Sequence, residues 1–201
     1  MGQRTVAAPQ IIADTGHKAT LGDVSPAKLS VFSTEIGWCG LLGANTRVER
    51  LSMGHPSQDD VRQTVRRLWA EEHDDIADEI EEANWYPELR ERLQNYFQGA
   101  VVDFRDVKLN LPRLTAFQSR VIGALKQIGY GELITYGELA AKAGAPRAAR
   151  AVGTVMSSNR IPVLIPCHRV IASGGKLGGF SAPQGTSLKQ HLLTMESEAQ
   201  Q

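Results

Sequence analysis

The pattern of hydrophobic and polar positions changes several times along the chain, and it starts without a regular period. Residues 1–27 are small or polar and contain breakers such as Pro9 and Gly16, so we expect a mobile tail. Three segments rich in β-forming residues follow, LSVFS, WCGLL and RVERLSM, separated by Gly37 and by residues 43–45. This spacing predicts a small antiparallel meander.

Helical spacing replaces the strand pattern after the meander. Ser57 can cap a first helix, whose apolar side consists of Val61, Val65, Leu68 and Trp69. That helix runs into the acidic stretch EEHDDIADEIEE, which is a solvated face or, as the alternative, a metal site without the ligand alternation of a calcium loop. A second helix begins at Pro87 and stops at Gly99, and its apolar side consists of Leu89, Leu93 and Phe97.

Periodicity disappears over residues 101–112, which end at Pro112, and we place a domain boundary there. The predicted organisation is a tail over residues 1–27, an N-terminal α/β domain over residues 28–112 and a C-terminal domain over residues 113–197. No internal repeat or low-complexity segment is visible in the sequence.

The C-terminal half opens with helical patterns. Thr115 caps the first, and the glycines on either side of Tyr130 close it; its inward positions are Val121, Ile122, Leu125 and Ile128. Thr135 and Glu138 form a T-x-x-E capping box for a second helix, which ends near Gly144.

A third helix, APRAARAVGTVMSS, is predicted with Pro146 in its first turn. Two short helices joined by a tight glycine turn match a helix-turn-helix motif, whose second helix would present Arg147 and Arg150. Its small residues would allow close approach to a duplex. The alternative is that the alanines only pack against the neighbouring helix.

The last part of the chain combines an apolar run with a final helix. Pro162 and Pro166 prevent the run, IPVLIPCHRVI, from pairing as a central strand throughout. Residues 173–176 predict a turn. Ser187 and Gln190 match another capping box, which would start the helix SLKQHLLTME.

Composition excludes several classes of protein. The 201 residues, 42% of them hydrophobic, can bury a core, and no apolar run approaches the roughly 18 residues that span a bilayer. We therefore expect a soluble, cytoplasmic protein. Cys39 and Cys167 are too few for a disulfide scaffold and form no zinc motif, so we expect two free thiols and no metal. Cys39, inside a predicted strand, is interpreted as a buried hydrophobe.

Charge is divided unevenly between the two halves, although the net charge of the chain is zero. Residues 113–201 carry ten Lys and Arg against four Asp and Glu, whereas residues 1–112 carry twelve against eighteen. A basic half joined to an acidic half suggests that the C-terminal half meets a polyanion. An ordinary solvated surface is the alternative.

The tetrapeptide PCHR carries the most informative chemistry. A cysteine nucleophile must be a thiolate, and an imidazole and positive charge nearby lower the pKa of a thiol from about 8.5. His168 and Arg169 supply both kinds of group next to Cys167. Adjacent side chains often point apart, however, so a packed structural cysteine remains the alternative.

The C-terminal half as a whole resembles the O6-alkylguanine-DNA alkyltransferase family, the methylated-DNA-protein-cysteine methyltransferases. The resemblance runs through FQSRVIGALKQIGYGELITYGELAAKAGAPRAARAVGTVMSSNRIPVLIPCHRVIASGGKLGGF and continues to LKQHLLTME, with PCHRV at its centre. It implies an α+β fold, with a small N-terminal ribonuclease H-like domain and a C-terminal helix-turn-helix alkyltransferase domain.

The resemblance also implies roles for individual residues. Cys167 is the alkyl acceptor, His168 takes the thiol proton through a water, and Glu196 orients the histidine. Tyr136 donates to the departing guanine, and Asn159 supports the turn before the active-site strand. Arg150 enters the base stack in place of the flipped nucleotide. The other residues expected at the DNA are Arg147, Thr135, Ala149, Ala151 and Gly153, and those expected in the substrate pocket are Phe180, Ser181 and Ala182.

Three positions depart from the family pattern. Arg160 stands where proline commonly follows the asparagine, which would loosen that turn. Phe180 replaces a frequent tyrosine, and residues 181–185 replace a stretch richer in glycine. These departures bear on substrate preference and leave the reaction unchanged.

The resemblance therefore implies a monomeric, cofactor-free DNA-repair enzyme that acts once on duplex DNA containing O6-alkylguanine, with O4-alkylthymine as a second candidate substrate. A non-catalytic lesion-binding protein of the same fold is the main alternative, although such relatives lack the acceptor cysteine. The interpretation as a transcription regulator would rest on the helix-turn-helix alone, and the small alanines offer little for reading base sequence. A thiol hydrolase is a further alternative, but the chain lacks the histidine and asparagine pattern that such an enzyme needs.

Overall fold

The computed structural model describes residues 26–73 and 80–200. The predicted tail lies outside the described residues except for its last two positions. Half of the predicted acidic face, residues 74–79, also lies outside them. The described residues form a mixed α+β protein.

The meander predicted from the strand pattern is confirmed. Strands β1 (Lys28–Thr34), β2 (Gly37–Ala44) and β3 (Arg47–His55) pair antiparallel in sequence order. Asn45 and Thr46 both have positive φ, the conformation that a two-residue hairpin needs. The short strand β4 (Glu81–Glu82) pairs parallel to β1, so the sheet order is β3-β2-β1-β4.

Two helices accompany the sheet. Helix α1 (Gln58–Ala70) begins after Ser57, whose hydroxyl accepts a hydrogen bond from the Asp60 amide as the cap prediction requires. Helix α2 (Pro87–Phe97) begins at the predicted proline. Cys39 is fully buried in β2, and the desolvation raises the pKa of its thiol to about 11, in agreement with its interpretation as a buried hydrophobe.

Three further helices follow in the C-terminal half. They are α3 (Ala116–Leu125), α4 (Tyr136–Lys142) and α5 (Ala149–Ser157). Thr115 caps α3 through a capping box with Gln118, and Thr135 caps α4 through its predicted box with Glu138. Both threonines therefore fix where a helix starts.

Two helix boundaries differ from the prediction. Helix α3 ends at Leu125, so Ile128 is buried in the connection after the helix and not on its face. Helix α5 begins only at Ala149, which leaves Pro146 and Arg147 in the preceding turn. Proline suits that turn because its φ is fixed and because a turn residue outside the helix does not need the backbone N–H that proline lacks.

The predicted capping box of the last helix is wrong. Helix α6 (Gly185–Glu198) starts two residues before Ser187, whose hydroxyl donates to the Gln184 carbonyl 2.5 Å away. Gln190 instead donates to the Thr194 hydroxyl. Hydroxyls inside a helix commonly donate to a carbonyl of the preceding turn, which is why the sequence pattern misled.

The proline-broken apolar run is not a continuous strand, as predicted. Apart from an isolated bridge between Pro162 and Ile165, pairing in the run is limited to β6 (Val170–Ile171), which is parallel to β5 (Ile134–Thr135) and follows a single 3₁₀ turn (Cys167–Arg169). The two halves of the chain share one hydrophobic core, in which Met53 and Leu89 belong to the same cluster as Leu188. Within the described ranges, no helix has both the length and the apolar surface to span a membrane.

Candidate active site

The segment that leads to Cys167 forms a tight loop, which the Asn159 side chain holds closed. The Asn159 amide donates to the Ile165 carbonyl at 2.9 Å, and its carbonyl oxygen accepts from the Ile161 amide at 3.0 Å. Val163 inside this loop has φ +71, a strained conformation for a β-branched residue that needs such support. Asn159 also hydrogen-bonds the thiol, so one side chain links the loop to the nucleophile candidate.

The thiol of Cys167 is protonated in the resting protein. Its side chain is only 7% exposed, and burial raises the pKa of Cys167 despite opposing effects of the Asn159 hydrogen bond and the charge of Lys189. The expectation that His168 and Arg169 lower this pKa is wrong, because both side chains point to a different partner, Glu196.

His168 and Glu196 form a fully buried pair, with Nε2 of the histidine 3.0 Å from Oε1 of the carboxylate. Burial lowers the pKa of His168 although Glu196 opposes the shift, so the resting imidazole is neutral. Burial alone would raise the pKa of Glu196, but hydrogen bonds from His168 and Arg169 bring it well below its usual range. Nδ1 of His168 is buried without a hydrogen-bond partner among the described protein atoms.

Arg169 anchors the carboxylate rather than the thiol. Its Nε lies 3.0 Å from Oε2 of Glu196 and its Nη2 lies 2.8 Å from Oε1, a two-pronged contact. Nη1 donates to the Ile128 carbonyl at 2.7 Å. The Gly131 amide adds a further donor to Oε2. These donors hold the carboxylate of Glu196 ionised and in a fixed position next to His168.

Sequence reasoning missed Lys189, which supplies the positive charge that the site needs. Its side chain is fully buried in α6, and Nζ donates to the carbonyls of Val170, at 2.6 Å, and Leu177. Burial lowers the pKa of Lys189, and the thiol of Cys167 opposes that shift. Helical spacing could have revealed it, because Lys189 lies on the α6 face that buries Leu192 and Glu196.

Sequence reasoning also missed Tyr96 of α2, whose hydroxyl lies 2.7 Å from Oε1 of Glu196. The same hydroxyl lies 3.2 Å from Nε2 of His168. The sequence carried no signal for this contact, because Tyr96 sits among apolar helix positions in the other half of the chain.

Tyr136 lies at the first position of α4 and is half-buried near the thiol. Burial, and secondly the proximity of Cys167, raise the pKa of Tyr136, so its hydroxyl keeps its proton. A Cβ placed on Gly178 would lie 2.6 Å from that hydroxyl. Tyr136 therefore lies between the thiol of Cys167 and the loop around Gly178.

The loop that carries the predicted pocket residues is tied down at both ends. Lys189 holds its first part through the Val170 and Leu177 carbonyls. Gln184 donates to the carbonyls of Ile36 and Gly54 in the N-terminal half. Within the loop, Phe180 and Ala182 are partly buried against the core, and the exposed Ser181 donates to the Ser157 carbonyl at 3.2 Å.

The residues predicted at the DNA gather around α5 and the start of α4. Arg150 and Ala151 are exposed on α5, Arg147 is exposed in the turn before it, and the opposite face of the helix is buried. The partly buried members of the predicted set are Thr135, Ala149 and Gly153. A Cβ on Gly153 would meet no atom within 4 Å, so this side of the helix is open.

Arg160 ties the active-site loop to the N-terminal half instead of loosening it. Its Nη1 lies 2.6 Å from Oε2 of Glu72, and Arg50 contacts the other oxygen of the same carboxylate at 2.6 Å. Because Arg160 directly follows Asn159, this ion pair links the turn to the N-terminal half, and the expectation of a looser turn stays a prediction.

Comparison with known proteins gives a consistent result. Residues 116–198 match the family model described as 6-O-methylguanine DNA methyltransferase, DNA binding domain. A Methanosarcina acetivorans protein named methylated-DNA-protein-cysteine methyltransferase is 44% identical over 117 residues, which cover 58% of this chain and 72% of the relative.

Solved structures extend the similarity to the N-terminal half. The Mycobacterium tuberculosis O6-methylguanine methyltransferase is 33% identical, with a TM-score of 0.68 over 86% of this chain and 94% of that one. A structure of the Mycobacterium tuberculosis protein in complex with DNA is 34% identical and superposes with the same TM-score and coverage.

Proposed function

The chain belongs to the methylated-DNA-protein-cysteine methyltransferase family, whose members repair DNA by alkyl transfer, and we propose that Cys167 is the residue that receives the alkyl group. One observation carries this assignment. A buried thiol lies close to the buried Lys189 and to Tyr136, and the next residue in the chain is a neutral, buried histidine whose Nδ1 has no hydrogen-bond partner among the described protein atoms.

The thiolate forms when substrate is in place. His168, held by Glu196, accepts the thiol proton at Nδ1 through a water, and becomes an imidazolium that Glu196 stabilises. The positive charge of Lys189 opposes the burial penalty on the thiolate. A thiol that ionises only at the moment of reaction is protected from oxidation at other times.

The displacement then exchanges one bond for another. The sulfur of Cys167 attacks the alkyl carbon, a new S–C bond forms, and the C–O6 bond breaks with its electron pair passing to the guanine. Tyr136, still protonated, donates a hydrogen bond to the purine as this negative charge develops. The thioether has no hydrolytic exit, so each molecule acts once.

DNA binding is assigned to the C-terminal half. We propose that α4 and α5 act as a helix-turn-helix in the minor groove, with the open small-residue side of α5 against the duplex. Because O6 lies inside the duplex, the damaged base must flip out, at a cost of a few kcal/mol. Arg150, exposed on α5, is proposed to fill the gap and offset part of that cost.

The finer organisation is proposed on the same grounds. Residues 28–112 form a ribonuclease H-like domain and residues 113–197 the catalytic domain of a monomer. The four-stranded sheet with α1 and α2 supports the first part of this division. The presence of Cys167 argues against a non-catalytic lesion-binding protein.

Stoichiometry tests the proposed function. Increasing amounts of protein are incubated with excess duplex DNA containing O6-methylguanine, and the methyl groups removed are counted. We expect the count to stop at one per protein molecule, and to be zero for Cys167→Ala. A count that keeps rising with time would contradict a permanent thioether.

A further inference from the structure

We infer that Tyr96 is a positioning residue for alkyl transfer, because its hydroxyl holds both Glu196 and one tautomer of His168. The inference rests on the proposed relay of Cys167, His168 and Glu196. It adds a residue from the N-terminal half, outside the segment 116–198 that the family model matches.

Tyr96 reaches the site from the end of α2. Its side chain is fully buried, and its ring makes edge contacts with the rings of Phe104, Tyr130 and His168. The hydroxyl lies 2.7 Å from Oε1 of Glu196 and 3.2 Å from Nε2 of His168. The rigid ring and the helix leave this hydroxyl little freedom to move.

The direction of each hydrogen bond follows from the number of protons. Burial and the charge of Glu196 raise the pKa of Tyr96 well above its usual value, so the phenol keeps its hydrogen. An ionised carboxylate only accepts, so that hydrogen points to Oε1 of Glu196. The phenol oxygen then turns a lone pair to Nε2 of His168, which must itself carry a hydrogen.

This arrangement leaves the other ring nitrogen free for chemistry. With its hydrogen on Nε2, the neutral imidazole has an available lone pair on Nδ1, the buried atom without a partner among the described protein atoms. If the hydrogen were on Nδ1, the Nε2 lone pair would face the oxygens of both Glu196 and Tyr96. Tyr96 therefore reinforces Glu196 in favouring the tautomer that can accept the thiol proton.

Tyr96 also sets how tightly His168 holds that proton. Donation to Glu196 draws negative charge from the carboxylate and weakens its support for the imidazolium, whereas the longer contact to Nε2 strengthens that support. The shorter bond to a charged acceptor is the stronger of the two. Removing the hydroxyl should therefore raise the pKa of His168 while leaving the ring less well oriented.

The test compares Tyr96→Phe with Tyr130→Phe. Both variants lose one phenol hydroxyl from neighbouring rings, but Tyr130 donates to the Gly99 carbonyl at 3.2 Å and not to Glu196. Single-turnover methyl transfer is measured across pH at saturating duplex DNA, together with the Kd for DNA and the Tm. Glu196→Gln serves as the reference for loss of the relay.

For Tyr96→Phe we expect the rate constant to fall about tenfold, as for loss of a hydrogen bond to a charged group. The apparent pKa of the rate profile should move upward, with the Kd for DNA unchanged. Tyr130→Phe should keep the parent rate and pKa. A Tyr96→Phe protein with the parent rate constant and pKa, beside a slow Glu196→Gln protein, would overturn the inference alone. If Glu196→Gln also reacts like the parent, the proposed relay is wrong.

Discussion

Gly178 approaches the hydroxyl of Tyr136 so closely that a Cβ on the glycine would lie 2.6 Å from it. Gly178 also has φ +69, which favours glycine. The neighbouring Gly179 has open space around its Cβ position. The loop therefore depends on one of these two glycines and not on the other.

Gly178→Ala should slow methyl transfer, because the added methyl displaces the Tyr136 ring from the pocket. Strain at positive φ should also lower the free energy of unfolding by about 1 kcal/mol or more. Single-turnover rates and urea unfolding measure the two effects. Gly179→Ala is the control, and similar behaviour of both variants would count against the close contact.

Lys189→Met should move the pH profile of methyl transfer upward. The lysine charge lowers the pKa of Cys167, so its removal raises that pKa and reduces thiolate formation at neutral pH. The rate should recover at higher pH. Lys176→Met, a change at an exposed position next to Leu177, whose carbonyl accepts from Lys189, is the control. An unchanged pH profile for Lys189→Met would show that its charge does not reach the thiol.

Glu72→Gln should destabilise the protein more than Glu71→Gln. The Glu72 side chain is 23% exposed and joins Arg50 to Arg160, whereas Glu71, just after the end of α1, makes an exposed pair with Arg67 of that helix. We expect a loss of about 1–2 kcal/mol for the shared, partly buried carboxylate and less than about 0.5 kcal/mol for the exposed one. Urea unfolding at low and high salt measures both losses. Equal losses would rule out a stabilising role for the contacts of Glu72 with Arg50 and Arg160.

Arg150→Ala should reduce repair of duplex DNA much more than reaction with a free O6-alkylguanine base, because only the duplex requires flipping. Arg147→Ala should weaken duplex binding through lost phosphate attraction, with the rate at saturating DNA retained. Rates at saturating substrate separate the two residues. Equal losses of Arg150→Ala on duplex and free base would reject the proposed role.

Local sequence signals predicted the helices and strands better than the contacts of the active site. The caps at Ser57, Thr115 and Thr135 start helices where predicted, because each uses only its neighbours in the chain. Ser187 shows the limit of such signals, since the same residue type can lie inside a helix and donate backward.

The site depends on contacts between distant segments, which local patterns do not encode. The motif PCHR singled out Cys167 and His168, but it carried no signal that the Arg169 side chain turns away to Glu196. Tyr96 comes from the other half of the chain, whereas helical spacing could have placed Lys189 on the buried face of α6. Both contacts arise from tertiary packing around one carboxylate and one thiol.

The identity of the alkyl acceptor is the central claim, and peptide mass spectrometry tests it most directly. The protein is incubated with a small excess of duplex DNA containing O6-methylguanine, digested, and the peptides of Cys167 and Cys39 are compared. We predict that the Cys167 peptide gains the mass of one methylene in full, and that the Cys39 peptide, whose buried thiol has a pKa of about 11, is unchanged. Demethylated DNA together with an unmodified Cys167 peptide would contradict the account.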